Sequence, residues 1–166
     1  MREIKKIIIH CSDSVWADAF EIDKWHKERG FVKIGYHYVV LNAYPTFESF
    51  ENKNPQDTIG VIQKGRSDEE IGAHVKDMNS DTIGICLIGK NDFSYKQQFS
   101  AAKLTVRLLK QYGLSVDDVL GHCECPTGKE QGKTCPNLSM PKFRFIITTF
   151  IRLQKIYKFN KCLEDQ

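Results

Sequence analysis

The sequence predicts one α/β domain, a mixed β-sheet with helices packed on its faces. Three observations carry that prediction. Short β-branched apolar runs alternate with segments of helical period. An apolar share of 41%, with 11% aromatics, is enough for a core. Along the 166 residues no repeat, low-complexity stretch or linker breaks the alternation, and the usual ~100–200 residues per domain give no reason to divide it.

Each element follows from its own residues. "EIKKIIIHCS" reads as a buried strand through Ile7–Ile8–Ile9, ending at His10 where polar "CSDS" begins. "EIDKWHKERG" reads as a short helix on which Ile22 and Trp25 share a face, with Gly30 as its left-handed terminator and His26 on the exposed side. "GYHYVVLNA" is a second strand, and "TIGVIQKGR" a short third. Period-two alternation puts Tyr36 and Tyr38 on one face of the second strand and His37, read as structural, on the other.

Asn42–Thr58, between those strands, is longer than the two to five residues of a hairpin loop and reads as an insertion. Its aromatics Tyr44, Phe47 and Phe50 are expected to pack it onto the domain. "DTIGICLIGK" is a strand buried on both faces, Cys86 included. "YKQQFSAAKLTVRLLKQYG" is the strongest helix. Phe99, Ala102, Val106, Leu109 and Tyr112 form its apolar face and Gly113 closes it. "SVDDVLGHCE" gives a brief strand ending near His122. "MPKFRFIITTFIRLQKIYKF" gives a last helix, over about 141–157, with Pro141 in its first turn.

Charge narrows the function classes. With 24 Lys/Arg against 21 Asp/Glu the net charge is +3, the basic residues are scattered, and nucleic acid is not the expected partner. No run approaches the ~18 apolar residues of a membrane span. The apolar run in "MREIKKIIIHCSDS" is too short for a signal-peptide core, so synthesis in the cytoplasm without a signal peptide is expected. Six cysteines then read as reduced thiols or metal ligands rather than a disulfide framework, with Cys86 and Cys162 structural or inert.

The chemistry concentrates in "GHCECPTGKEQGKTCPN", residues 121–137. His10 and His122 each stand at the C-terminal end of a short apolar strand, where α/β sheets tend to present functional groups. Catalytic zinc takes three ligands from His, Cys or carboxylate and keeps a position open for water. Cys123-x-Cys125 is neither the CxxC of a zinc knuckle nor that of a redox site, and no HExxH is present. His122 and Cys135, closed by a 12-residue loop, have compatible ligand spacing. Spacing alone does not separate ligation from ordinary satisfied histidines.

Four patches in order, "IIIHCSDS", "GYHYVV", "GAHVKDMNSDTIGICLIG" and the pair "GHCECP…GKTCPN", resemble the zinc-dependent N-acetylmuramoyl-L-alanine amidases of the phage-lysozyme and peptidoglycan-recognition-protein family. The resemblance covers about 4–137. It implies that family's fold, one Zn2+ held by His10, His122 and Cys135, and hydrolysis of the amide between N-acetylmuramic acid and the L-alanine of the stem peptide. By matched position Tyr36 lies over the metal, Lys133 serves catalysis, and His74 lines the substrate cleft. The lysine matches the amidase-active phage branch, and its ammonium suits the oxyanion of the tetrahedral intermediate. Where the family often has Arg-Asp after the histidine ligand, this chain has Cys123-Glu124. Glu124 is a candidate for hydrogen-bonding a ligand imidazole, or else a surface acid. The insertion at Asn42–Thr58 is a second departure, since relatives turn there with a short Asp-Gly loop.

The resemblance thus implies an enzyme whose partner is peptidoglycan, expected as a monomer with no assigned protein partner. A phage or prophage endolysin reaching the wall by a holin-like route suits the missing signal peptide. The other readings are a non-catalytic peptidoglycan-binding module and a regulatory protein of the same fold. Retention of Cys135, both histidines, Tyr36 and Lys133 favours turnover.

Overall fold

The computed structural model describes residues 2–164. Five strands, β1 (Lys6–Cys11), β2 (Tyr38–Val40), β3 (Ile62–Lys64), β4 (Thr82–Leu87) and β5 (Val119–Gly121), form one sheet in the order β3-β2-β4-β1-β5. β1, β2, β4 and β5 run parallel and β3 is an antiparallel edge, so the sheet is mixed as expected. The helices are α1 (Ala19–Glu28), α2 (Phe47–Glu51), α3 (Tyr95–Tyr112), α4 (Pro126–Glu130) and α5 (Met140–Glu164). Among the described residues no helix is long and apolar enough to cross a membrane.

Alternation along the strands builds two different faces. Ile7, Ile9, Tyr38, Val40, Ile83, Ile85, Leu87 and Val119 form the main core with buried residues of α3 and α5, such as Leu108, Phe143 and Ile147. On the other face Val39, Leu41, Cys86 and Ile88 pack against Ile22 of α1, and Ile8 packs with Val75 and Cys125. His10 shares the parity of Ile8. It is therefore carried on this second, more thinly covered face, fully buried at 1% exposure.

Some boundaries differ from the sequence expectation. β2 begins only at Tyr38, because the chain bends at Gly35 and His37 before it joins the sheet. The bend breaks the alternation. Tyr36 packs with the α1-side cluster and Tyr38 with the α3/α5 side, so the two do not share a face. α5 runs on to Glu164 rather than stopping near 157, and Phe99 of α3 is 43% exposed rather than core. The 42–58 insertion folds as a capped turn of helix. Thr46 accepts from Ser49 N–H, and the Phe47 ring lies tilted against Trp16 with centroids 5.4 Å apart. The packing onto the domain is only partial, since Phe47 and Phe50 stay 51% and 37% exposed and Phe50 packs on Tyr44 of the same segment.

Candidate metal centre

Strand register brings the two histidines together. Ile9 of β1 pairs with Gly121 of β5, so the next residues, His10 and His122, leave adjacent parallel strands side by side. Their ring centroids are 4.8 Å apart, close to the ~4.8 Å spacing of neighbouring strands. The third group arrives by a loop. Cys123 N–H donates to the Cys135 carbonyl at 2.7 Å, and Cys11 N–H donates to Cys135 Sγ at 3.3 Å. One ligand atom from each of His10, His122 and Cys135 lies within 4.8 Å of the others.

The intervening loop has its own architecture. After His122 comes a short turn, then α4, whose Gly128 sits against the His122 carbonyl. A Cβ at Gly128 would stand 1.9 Å from that oxygen, so only glycine fits. Gly128 also accepts from Lys133 N–H at 2.9 Å, which folds the chain back after α4 so that Lys133 lines the same cleft as His122. Cys125 is buried beside Ile8 and Val75, and Cys123 is half-buried.

Hydrogen bonds assign the tautomer of His10. The Thr82 hydroxyl donates to the Met78 carbonyl at 2.7 Å, leaving its oxygen to accept from His74 Nε2 at 3.4 Å. With His74 protonated on Nε2 in this way, its Nδ1 is the acceptor in the 3.0 Å contact with His10 Nε2. His10 carries its proton on Nε2, and the bare Nδ1 faces Cys135 Sγ at 3.8 Å. Burial first, and neighbouring imidazoles next, hold both His10 and His74 well below the ordinary histidine pKa. Both are neutral at pH 7, as a metal-binding imidazole has to be.

Two features hold His74 in place. Asn79 Oδ1 accepts from the backbone N–H groups of His74 and Val75, at 2.8 and 3.0 Å. Gly84 of β4 leaves room for the ring, since a Cβ there would stand 2.7 Å from His74 Cγ.

Tyr36 lies over His10 with ring centroids 5.1 Å apart. Burial, and then the thiols of Cys86, Cys135 and Cys11, push its phenol well above its ordinary pKa, so it is a neutral donor. Its backing is His26, which the sequence placed on the exposed side of α1. The structure buries His26, whose Nδ1 accepts from Gly35 N–H at 2.9 Å while its ring packs 5.4 Å from that of Tyr36. The sequence carried no signal for this, because the acceptor role exists only once the Gly35 segment has folded against α1.

Lys133 is exposed at the rim of a cleft of about 360 Å³ that is also lined by His74, His122, Phe31 and Thr127. His122 is held below the ordinary histidine pKa by burial and then by the Lys133 charge. Glu124 does not hydrogen-bond an imidazole. Its carboxylate takes both Arg144 guanidinium nitrogens, at 2.8 and 2.9 Å, and accepts from Gly121 N–H at 2.8 Å. The reason is placement: Glu124 closes the turn after β5 and faces α5, so it braces the backbone that carries His122.

Cys11 is a neighbour that sequence reasoning missed. Its thiol shares a hydrogen bond with Cys135, which lowers the Cys11 pKa to about 7 and, with burial, raises that of Cys135. Coordination deprotonates a thiol outright, so a bound cation would draw the charge of this pair to Cys135.

Two neutral imidazoles and one thiolate suit zinc, and the preset His10 tautomer presents the right nitrogen; the donor set fits the metal. The endolysin of Klebsiella phage KP32 is 27% identical over 86% of this chain and 86% of its own length. That of Escherichia phage T7 is 28% identical over 82% and 83%. The solved structure of N-acetylmuramoyl-L-alanine amidase LysC from Clostridium intestinale superposes with a TM-score of 0.71 at 21% identity, over 89% of this chain and 87% of that one. The family model for N-acetylmuramoyl-L-alanine amidases matches residues 1–138, and the chain belongs to that family.

Proposed function

We propose that the chain is a peptidoglycan hydrolase of the endolysin kind. It cleaves the amide between N-acetylmuramic acid and the L-alanine of the stem peptide and depends on one zinc ion. The observation that carries this reading is the His10–His122–Cys135 triad, set beside a cleft that bears Lys133. A zinc ion held by those residues supplies Lewis-acid activation of water and of the scissile carbonyl.

The protein's own groups do the rest. His74 holds the His10 proton at Nε2 and so keeps Nδ1 free. Tyr36, a neutral phenol above His10, offers a hydrogen bond to the reacting carbonyl oxygen or orients the attacking water. The Lys133 ammonium stands at the rim to meet the oxygen that gains negative charge, a contact that strengthens in the transition state. The intact ligand set favours turnover over a purely binding role.

The test is mass analysis of purified peptidoglycan digested with the protein. Free stem peptides beginning with L-alanine, and glycan with intact lactyl groups, are expected. Glycan fragments with uncut stems would exclude the amidase reaction, and full activity after complete metal removal would exclude the zinc.

A further inference from the structure

The face of the molecule away from the metal centre has a chemistry of its own. α5 is apolar on two sides. Its inner row, Met140, Phe143 and Ile147, is buried against the sheet and α3. A second row at helical spacing points outward, with Phe145 70%, Leu153 55% and Ile156 57% exposed. Tyr95 and Phe99 of α3 continue it, at 78% and 43% exposure. Between the two helices lies an open groove of about 570 Å³, floored by Phe150. A helix that is apolar on both sides normally has something covering both.

The charge around the groove indicates what that covering is. Residues 140–157 contain no acidic residue, and Lys142, Arg152 and Lys155 are exposed there. Lys103 of α3 joins them, its Nζ 5.7 Å from the centre of the Phe150 ring. Elsewhere acids balance the scattered basic residues and the chain is close to neutral, so the net positive charge lies where the exposed aromatic and aliphatic side chains are. A second copy docked by two-fold symmetry would bring these cations against one another. An anionic apolar surface would satisfy both features together.

We propose that the α3/α5 face docks on the surface of an anionic lipid bilayer. Phe145, Leu153 and Ile156 enter the acyl boundary while Lys103, Lys142, Arg152 and Lys155 meet lipid phosphates. The metal centre is carried on the opposite face of the sheet, so its cleft stays open in the docked state. Docking is independent of the amidase chemistry.

The experiment is vesicle sedimentation of the full chain. The vesicles are phosphatidylcholine, with or without phosphatidylglycerol, at low and at physiological salt. Salt-sensitive pelleting with the phosphatidylglycerol vesicles alone is expected. Each basic residue near such a surface is worth about fivefold in partitioning, so Arg152→Gln/Lys155→Gln should weaken it about 25-fold. Phe145→Ser/Leu153→Ser should weaken it at both salt concentrations. Release of stem peptides from soluble muropeptides should stay unchanged in both variants, which also reports that they fold. Absence of pelleting, or equal pelleting with neutral vesicles, would overturn the proposal. So would a concentration-dependent dimer, seen by analytical ultracentrifugation and abolished by Phe145→Ser/Leu153→Ser, because the face would then belong to a second copy.

Discussion

His74 Nδ1 and His10 Nε2 stand 3.0 Å apart, and the Thr82 hydroxyl behind them sets the direction of the proton between them. A histidine in this position does more than line a cleft. It decides which nitrogen of the neighbouring imidazole is free to bind a cation, and it does so through a side chain 64 positions away in sequence.

Removing this partner should therefore weaken metal binding without removing a ligand. His74→Ala is expected to lower zinc affinity by about 10–100-fold, the usual cost of losing a hydrogen-bond partner of a ligand. Competition with a chromophoric chelator measures it directly. His74→Asn, which keeps a side-chain acceptor, should recover part of the loss, and Gly84→Ala should reproduce part of it by displacing the ring. Unchanged affinity in His74→Ala would show that the tautomer needs no external support.

Lys133 is expected to divide chemistry from binding. In Lys133→Ala, zinc content and muropeptide affinity should stay near wild type while kcat falls about 10²–10³-fold, the typical loss for one transition-state donor. The side chain is exposed and lies outside the ligand triad, so stability should hardly change. A rise in KM at constant kcat would place Lys133 in ground-state binding instead.

Much of this arrangement was legible in the sequence, for reasons that differ by element. β1 and β4 are near-continuous apolar runs because parallel strands are covered on both faces, and α3 repeats its apolar residues over a long stretch with Ser94 and Gly113 as caps. His10 and His122 were placed by the strands that end at them. What was not legible depends on contacts that exist only after folding. The bend at His37 turns Tyr36 away from Tyr38. His26 is buried by Gly35, Cys11 meets Cys135, and Glu124 is claimed by Arg144 from α5. Each of these joins segments through backbone groups or side chains whose local pattern says nothing of the partner.

The Glu124–Arg144 pair should report on the turn that carries His122. Glu124→Ala removes a two-pronged ion pair, only partly exposed, together with the acceptor for Gly121 N–H. A loss of about 1–2 kcal/mol in urea unfolding is expected. Zinc affinity should fall less than in His74→Ala, since no imidazole loses its partner. Glu124→Gln keeps the acceptor and should lose the smaller amount. Equal losses in the two variants would mean that the Gly121 bond contributes nothing.

Acid should destabilise the fold through His37, which touches none of the three candidate ligands. Its Nδ1 accepts from Gly84 N–H at 3.0 Å and its Nε2 faces the Glu70 carbonyl at 3.0 Å, so it is buried in its neutral form. Burial foremost, with the Arg2 guanidinium adding to it against the Glu70 carbonyl, lowers its pKa to about 4. Below the ordinary value of about 6.5 the unfolded chain takes up a proton that the native protein refuses until about pH 4, so stability falls as pH falls across that window. The full effect is about 3 kcal/mol. Below it Asp68 continues the loss: burial alone would raise its pKa, but hydrogen bonds from Lys64, Tyr38 and Tyr112 together hold it under the usual carboxylate value. Urea unfolding of wild type and His37→Asn between pH 7 and 4 checks the first step, because asparagine keeps an acceptor for Gly84 and cannot titrate. The gap between the two proteins should narrow steadily as pH falls, and a constant gap would clear His37 of any part in acid unfolding.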